Sequence, residues 1–256
     1  MVKTRLSIIV CTLSLVLCNS SYAGVLDFLK SSSTTSNLTT MAGASLPEDQ
    51  IVGGLKQALG KGVQNAVAYL DRTNGFLTNA LVHISIPSKL QTVEKGLRAA
   101  GQGQLVDDFI ASMNHAAEQA VPTAAVVFGD SIQQMSIADA KAILVSTNDA
   151  ATEYFKRTTS TNLYAKFYPL VQKATDSVGV TQRYKAMMGK FTQPDSIGGF
   201  LASKTSIKLD AADIDAYVTG KALDGLFAMV AKEEENIRAN PVARTTDLLQ
   251  KVFATK

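Results

Sequence analysis

Residues 102–120 read QGQLVDDFIASMNHAAEQA, and the spacing of the apolar side chains in this stretch decides the fold. At about 100° per residue, Leu105, Phe109, Met113, Ala116 and Ala120 fall on one face, the period of a helix laid against a core. Asp107, Asn114 and Glu118 run along the flank of that face as a polar stripe, while His115 points roughly opposite its centre, toward solvent.

The same period spreads outward in both directions. Ile51, Leu55, Ala58, Leu59, Val63, Ala66, Val67 and Leu70 share a face, although Gly53, Gly54, Gly60 and Gly62 weaken that helix and mark close approach of a neighbour. Leu163, Phe167, Leu170, Val171, Ala174 and Val178 form a second clean stripe. Further helices are expected at about 88–100, 123–135, 137–145, 149–158, 160–178, 181–190, 211–238 and 242–253. Ser136 with Asp139 three residues on reads as a capping box, and Asn240-Pro241 breaks the chain between the last two helices. Val82, Ile84 and Ile86 alternate with His83 and Ser85 up to Pro87, the best strand signal, and Ser206 to Leu209 is a second. Thr192 to Thr205, with Pro194, Gly198 and Gly199, reads as a mobile loop. The expected fold class is all-α, a single multi-helix domain with at most one small two-stranded element.

Both cysteines lie in the first twenty-three residues, and that segment has a pattern of its own. Lys3 and Arg5 precede the apolar run Leu6 to Leu17, and Ser21-Tyr22-Ala23 offers small residues where a signal peptidase reads, so residues 1–23 are expected to be a cleaved secretory signal. The apolar run is shorter than the ~20 residues that span a bilayer. The expected location is the periplasm, after cleavage near Ala23. The alternative is a lipoprotein anchored through Cys18, against which the bulky Leu17 argues. In residues 31–45 nine of fifteen side chains are Ser or Thr, so 24–47 reads as a flexible arm and 48–256 as the helical domain.

The whole chain is 256 residues, 46% hydrophobic and 18% charged, which suits one globular domain or two small ones. Without residues 1–23 the formal charge drops from +3 to +1, and no Lys/Arg cluster offers a surface to nucleic acid or anionic lipid. Loss of the same segment removes Cys11 and Cys18, so stability rests on packing and not on disulfides. Two histidines and two cysteines are too few for a catalytic zinc site, and no cofactor is expected.

Several polar residues are hard to explain as ordinary surface. Glu233 falls near the centre of an apolar sector made by Ala222, Leu226, Met229, Val230 and Ile237, and an acid there needs a partner. Arg238 and Arg244, either side of the Asn240-Pro241 break, are the nearest cations. A salt bridge pinning the last helix is one reading, and an anion-binding or proton-handling site is the other. Asn114 and Glu118 read either as helix-to-helix hydrogen bonds or as part of such a site. His115 and Glu118 could share a metal, but a single pair with no second motif is a weak signal. Asp149 and Thr152 in NDAATEYF suit a helix cap, and Tyr164, Phe167 and Tyr168 suit core positions. The sequence contains no glycine-rich phosphate loop after a strand, no nucleophile elbow, no zinc-protease pair and no aromatic-basic interleaving.

Five stretches together resemble a known family: GLKQALGKGVQNAV (54–67), MNHAAE (113–118), DAATEYF (149–155), YVTGKALDGLF (217–227) and EENIRANPVARTTDLLQKVF (234–253). In this order they are similar to the successive motifs of a bacterial envelope family known as a domain of unknown function, over about Leu46 to Phe253. The resemblance implies an exported, mostly helical protein of Gram-negative bacteria, some relatives being lipoproteins and others periplasmic, and it implies no activity. The family's motif residues fall on Asn114, Glu118, Asp149, Thr152, Tyr154, Lys221, Asp224, Glu233, Arg238, Asn240 and Arg244. Relatives commonly carry Arg where this chain has His115, which speaks against a His-dependent role.

Three functions fit these observations. The first is a non-enzymatic periplasmic protein that binds a small ligand or an envelope partner through a pocket near Asn114, Glu118, Glu233 and Arg238. The second is a hydrolase using Glu118 or Glu233 as general acid or base. The third is a structural module that interacts through a helix surface.

Overall fold

The apolar period becomes helix at nearly every expected place in the computed structural model, which describes residues 47–146, 149–193 and 211–239. In chain order the helices are α1 (Glu48–Leu70), α2 (Gln91–Ala99, entered through a 3₁₀ turn at Ser88–Leu90), α3 (Gly103–Ala120) and α4 (Ala124–Gln134). They continue as α5 (Ile137–Val145), α6 (Ala150–Ser177), α7 (Val180–Phe191) and α8 (Ala211–Ala239). The signal, the Ser/Thr arm, the Ser206 to Leu209 strand, most of the Thr192 to Thr205 loop, the Asn240-Pro241 break and the helix at 242–253 lie outside the described residues.

Local chemistry accounts for the ends of these elements. The capping box at the start of α5 is formed, with Asp139 N–H donating to Ser136 Oγ (3.1 Å) and Ser136 N–H donating to the Asp139 carboxylate (3.3 Å). Helix α2 stops where Gly101 takes φ +72°, which lets Gln102 N–H reach back to the Leu97 carbonyl at 2.8 Å. One expected boundary is wrong: residues 149–158 and 160–178 form a single helix, α6. The polar run at 158–160 suggests a break, but the Thr158, Thr159 and Ser160 hydroxyls donate to the carbonyls four residues back, at 2.9, 2.6 and 2.6 Å. Satisfied inside the helix in this way, they no longer compete with it.

Helix α8 lies against α6 and α1, and α3 lies against α6 and α7. The hub of the core is aromatic. Phe128 of α4 meets Phe155 of α6 edge-on at 5.0 Å and Phe227 of α8 at 5.9 Å, and Phe128 and Phe155 are wholly buried. Burial of each such ring contributes about 1.5–3 kcal/mol, with ~1 kcal/mol more for the edge-on geometry.

Some positions depart from the periodic reading. On α3 the inward residue of the first turn is Val106, with Leu105 half-buried. Tyr164 is 41% exposed and stacks on Tyr168 at 6.0 Å, so it belongs to the surface and not the core. Of the glycines on α1, Gly62 does face a close neighbour, its added Cβ position lying 3.4 Å from Ile237, whereas Gly53 and Gly60 have nothing within 4 Å.

Between α1 and α2 the chain passes through turns up to Val82 and then an irregular stretch, so the strand expected at 82–86 does not form, although Val82, Ile84 and Ile86 are buried as their alternation predicts. Among the described residues this segment has no strand partner. It crosses α8 at Gly225, where an added Cβ would lie 2.9 Å from Phe76 and 3.0 Å from Val82.

Candidate functional site

The backbone partner that this segment lacks among the described residues is supplied by one side chain. Asn114, fully buried on α3, accepts from Ile84 N–H (2.9 Å) and donates back to the Ile84 carbonyl (2.9 Å), the pattern of a paired strand residue. Its amide also donates to the Ile110 carbonyl at 2.8 Å, so its geometry is fixed from both sides. One helical turn further, Glu118 accepts from Phe76 N–H at 3.2 Å, and Tyr217 of α8 donates to the Ser85 carbonyl at 2.9 Å. Burial pushes the Glu118 carboxyl above its ordinary range, and the Phe76 N–H and the nearby His115 pull back only in part. His115 is half-buried, not solvent-facing, and its Nε2 lies 3.1 Å from the Asn74 amide oxygen. The turn at Asn74 explains this, because its φ of 63° swings the segment over the helix flank where His115 sits.

The second cluster corrects the reading of Glu233. That residue is half-buried and accepts from Asn65 of α1 at 2.9 Å, while the acid in the apolar sector is its neighbour Glu234, 5% exposed. Glu234 reaches from α8 to the first turn of α6. It accepts from Ala151 N–H (3.0 Å), Thr152 N–H (2.9 Å) and the Thr152 hydroxyl (2.9 Å). These backbone groups are among those a helix start leaves unsatisfied, and a carboxylate there also meets the positive end of the helix dipole. Arg238, one turn along α8, donates to the same carboxylate at 2.8 Å and 3.1 Å and to the Ile143 carbonyl of α5 at 2.9 Å. Three helices are thereby joined at one point. The spacing could have found Glu234: Leu223, Phe227, Val230, Glu234 and Ile237 recur at four, three, four and three, and Arg238 is four residues from Glu234.

The remaining candidates are placed as follows. Asp149 is the N-cap residue of α6, and Tyr154 is buried with its hydroxyl donating to the Ser131 carbonyl at 3.1 Å. Lys221 and Asp224 form an exposed pair at 2.9 Å, three residues apart on α8. Asn240 and Arg244 lie outside the described residues. The polar candidates therefore form two clusters with separate partners, Asn114 with Glu118 and Glu234 with Arg238 and Thr152. Sequence reasoning also missed Asp215, 4% exposed on α8, whose carboxylate accepts from the Thr175 hydroxyl at 2.6 Å and is pushed up by burial and by Asp176. Among the described residues no buried side-chain nitrogen or oxygen lacks a hydrogen-bond partner, and no three His, Cys, Asp or Glu side chains gather as a metal would need.

Concave surfaces among the described residues include a large groove and two smaller ones. A groove of about 950 Å³ runs between α6 and α8, floored by Leu223, Phe227, Ala228 and Ala231, with Tyr164 and Ala165 along one wall. Asp149, Thr152, Glu153 and Asp224 edge it, and Lys156, which also lines it, holds Glu153 at 2.7 Å. A second groove, of about 830 Å³, lies where Ser85 and His83 face α2 and α3. There Arg98 binds Glu94 at 3.0 Å and Asp107 at 2.7 Å, and Gln104 donates to Asp108 at 2.7 Å. The third, of about 420 Å³, holds Ser131 bonded to Thr158 at 2.8 Å and Arg157 paired with Asp139 at 3.4 Å. The α6/α8 groove has an apolar floor, and three residues of the DAATEYF motif, Asp149, Thr152 and Glu153, stand at its edge.

Comparison with known proteins adds one match. The model of a family described as a protein of unknown function, DUF4197, matches residues 45–254. No curated protein and no solved structure matches the chain.

Proposed function

The chain belongs to the DUF4197 family, whose description assigns no activity, and from that premise we propose that it is a non-enzymatic binding protein of the bacterial envelope. The α6/α8 groove is its binding surface. The observation that carries this reading is the contrast between an apolar-floored groove and charged residues that are spent inside the fold. A ligand site of this size is usually apolar with a few polar groups at its edge, the composition found here. Export rests on the pattern of residues 1–23, and among the described residues no helix is long and apolar enough to cross a membrane.

The hydrolase reading has less support. A general acid or base must reach substrate, whereas Glu118 holds Phe76 N–H and Glu233 holds Asn65.

The test is native mass spectrometry of the full chain recovered gently from its own cells, beside Ala231→Arg, which fills the groove floor. The expected result is a non-covalent mass on the wild type, shed on denaturation and absent from Ala231→Arg at an unchanged melting temperature. Persistence of that mass in Ala231→Arg, or no bound species on the wild type after incubation with envelope extract, would overturn the reading.

A further inference from the structure

We propose that the ligand of the α6/α8 groove is a single-chain amphiphile with an uncharged, hydroxyl-bearing head, its alkyl chain laid along the floor. The inference rests on the groove being the binding surface and adds the chemical class of what it holds. It begins with the direction of the two helices. Glu234, near the end of α8, meets Ala151 and Thr152 at the start of α6, and Asp215, near the start of α8, meets Thr175 near the end of α6. The helices therefore run antiparallel, and the groove between them is a trough with two distinct ends. Its α8 side, from Gly220 to Ala231, is about 17 Å long at ~1.5 Å per residue. That suits one extended acyl chain, about 15 Å or half the ~30 Å hydrocarbon core of a bilayer, with a short head beyond it. Leu223, Phe227, Ala228 and Ala231 supply apolar surface along this length.

The polar groups of the lining select the head. Glu153 is held by Lys156 at 2.7 Å and Asp224 by Lys221 at 2.9 Å, so a cationic head would have to displace a lysine already in place. An anionic head would meet Asp149, Glu153 and Asp224 against the single lysine, Lys156, among the described lining residues. What the lining still offers is uncharged. The Thr161 and Tyr164 hydroxyls have no hydrogen-bond partner among the described residues. Pro169 adds a third group: lying inside α6 it has no N–H, so the carbonyl of Ala165, on the groove wall, lacks the donor four residues on that a helix normally provides. Thr161, Tyr164 and Ala165 fall within about one helical turn of α6, toward the end of the trough that Gly220 of α8 lines. Two hydroxyls that donate or accept, beside a carbonyl that accepts, match a head that carries hydroxyl groups and no charge.

The experiment measures equilibrium binding of radiolabelled monopalmitoylglycerol, and of palmitate above its carboxyl range, to the full chain, each lipid kept below the concentration at which it self-associates. The expected result is one monoglyceride per chain, saturable and lost in Ala231→Arg, with palmitate weaker by roughly tenfold or more. Monomyristoylglycerol, two methylenes shorter, should bind several-fold and up to about fifteenfold more weakly, since each buried methylene contributes a factor of up to ~4. Pro169→Ala supplies the missing N–H: it should raise the melting temperature, because an interior proline costs a helix stability, and yet weaken the monoglyceride by about three- to tenfold, the worth of one hydrogen bond. Palmitate binding as tightly as the monoglyceride, or Pro169→Ala leaving the monoglyceride's affinity unchanged, would overturn the proposal. No saturable binding of either lipid, affinity indifferent to chain length, or lipid retained by Ala231→Arg would overturn it too. Each of these failures leaves the groove's binding role to be judged by the native bound mass on Ala231→Arg, so the two ideas fail separately.

Discussion

Replacing Glu234 by Gln tests most sharply how the helices are fastened. The carboxylate receives Ala151 N–H, Thr152 N–H, the Thr152 hydroxyl and Arg238, whose side chain is only 10% exposed. An amide in its place keeps one accepting oxygen but turns an NH₂ toward donors and leaves the guanidinium without a counter-charge. Breaking a buried pair from one side costs about 3–5 kcal/mol when the partner is stranded, and hydrogen bonds to charged groups are worth about 1.5–3 kcal/mol each. Because Gln keeps part of the network, the expected loss is about 2–3 kcal/mol, a large share of the ~5–15 kcal/mol by which a domain is stable. Glu233→Gln is the matched control: its side chain holds only Asn65, and the amide can still accept that bond, so the loss should be about 0.5 kcal/mol or less. Urea unfolding followed by circular dichroism reads both, with a common m-value as the check that only stability has changed. Thr152→Val should cost about 1 kcal/mol alone and much less on top of Glu234→Gln, because the two share one network. Equal losses at 233 and 234, or a Glu234→Gln loss below about 0.5 kcal/mol, would refute the assignment of the buried acid.

Other outcomes follow from the same geometry. Asn114→Leu strands both Ile84 N–H and its carbonyl, so it should cost about 2–4 kcal/mol and speed hydrogen exchange at Ile84. Asn114→Asp should fare little better, since a carboxylate would face the Ile84 and Ile110 carbonyls. Gly225→Ala should destabilise by about 1–3 kcal/mol through its contacts with Phe76 and Val82, whereas Gly60→Ala, with nothing within 4 Å, should stabilise by up to ~1 kcal/mol. Glu118, and likewise Asp215, has a folded-state pKa raised chiefly by burial, so the folded protein holds its proton to higher pH than the unfolded chain. Stability should therefore fall as pH rises from the ordinary carboxylate value through the raised one, and Glu118→Gln should flatten part of that slope in melting curves taken across the range.

The helices were legible because their signal is local and repeated: α3, α4, α5, α7 and α8 fall within two residues of the expected bounds. Periodicity failed where a side chain changed what the backbone could do. The hydroxyls at 158–160 hide inside α6 by bonding back to it, so a polar run mimicked a break. The alternating stretch at 82–86 buries Val82, Ile84 and Ile86 but forms no strand, because the Asn114 amide takes both Ile84 backbone groups, and no pattern of strand residues announces a side chain in that role. The periodic reading centres the apolar sector of α8 on Glu233, one residue before the buried Glu234, and on a helix one residue is about 100°. The groove itself was not legible, since it arises between α6 and α8 from residues 55 to 82 positions apart in sequence.

The most direct test separates fastening from binding. The species bound by the full chain would be measured by native mass spectrometry in wild type, Ala231→Arg and Glu234→Gln, with each protein held well below its own melting temperature. The account predicts that Glu234→Gln, though less stable, keeps the bound species, and that Ala231→Arg keeps its stability and loses it. Loss of the species from folded Glu234→Gln with retention by Ala231→Arg would contradict the account and return the binding role to the buried polar cluster.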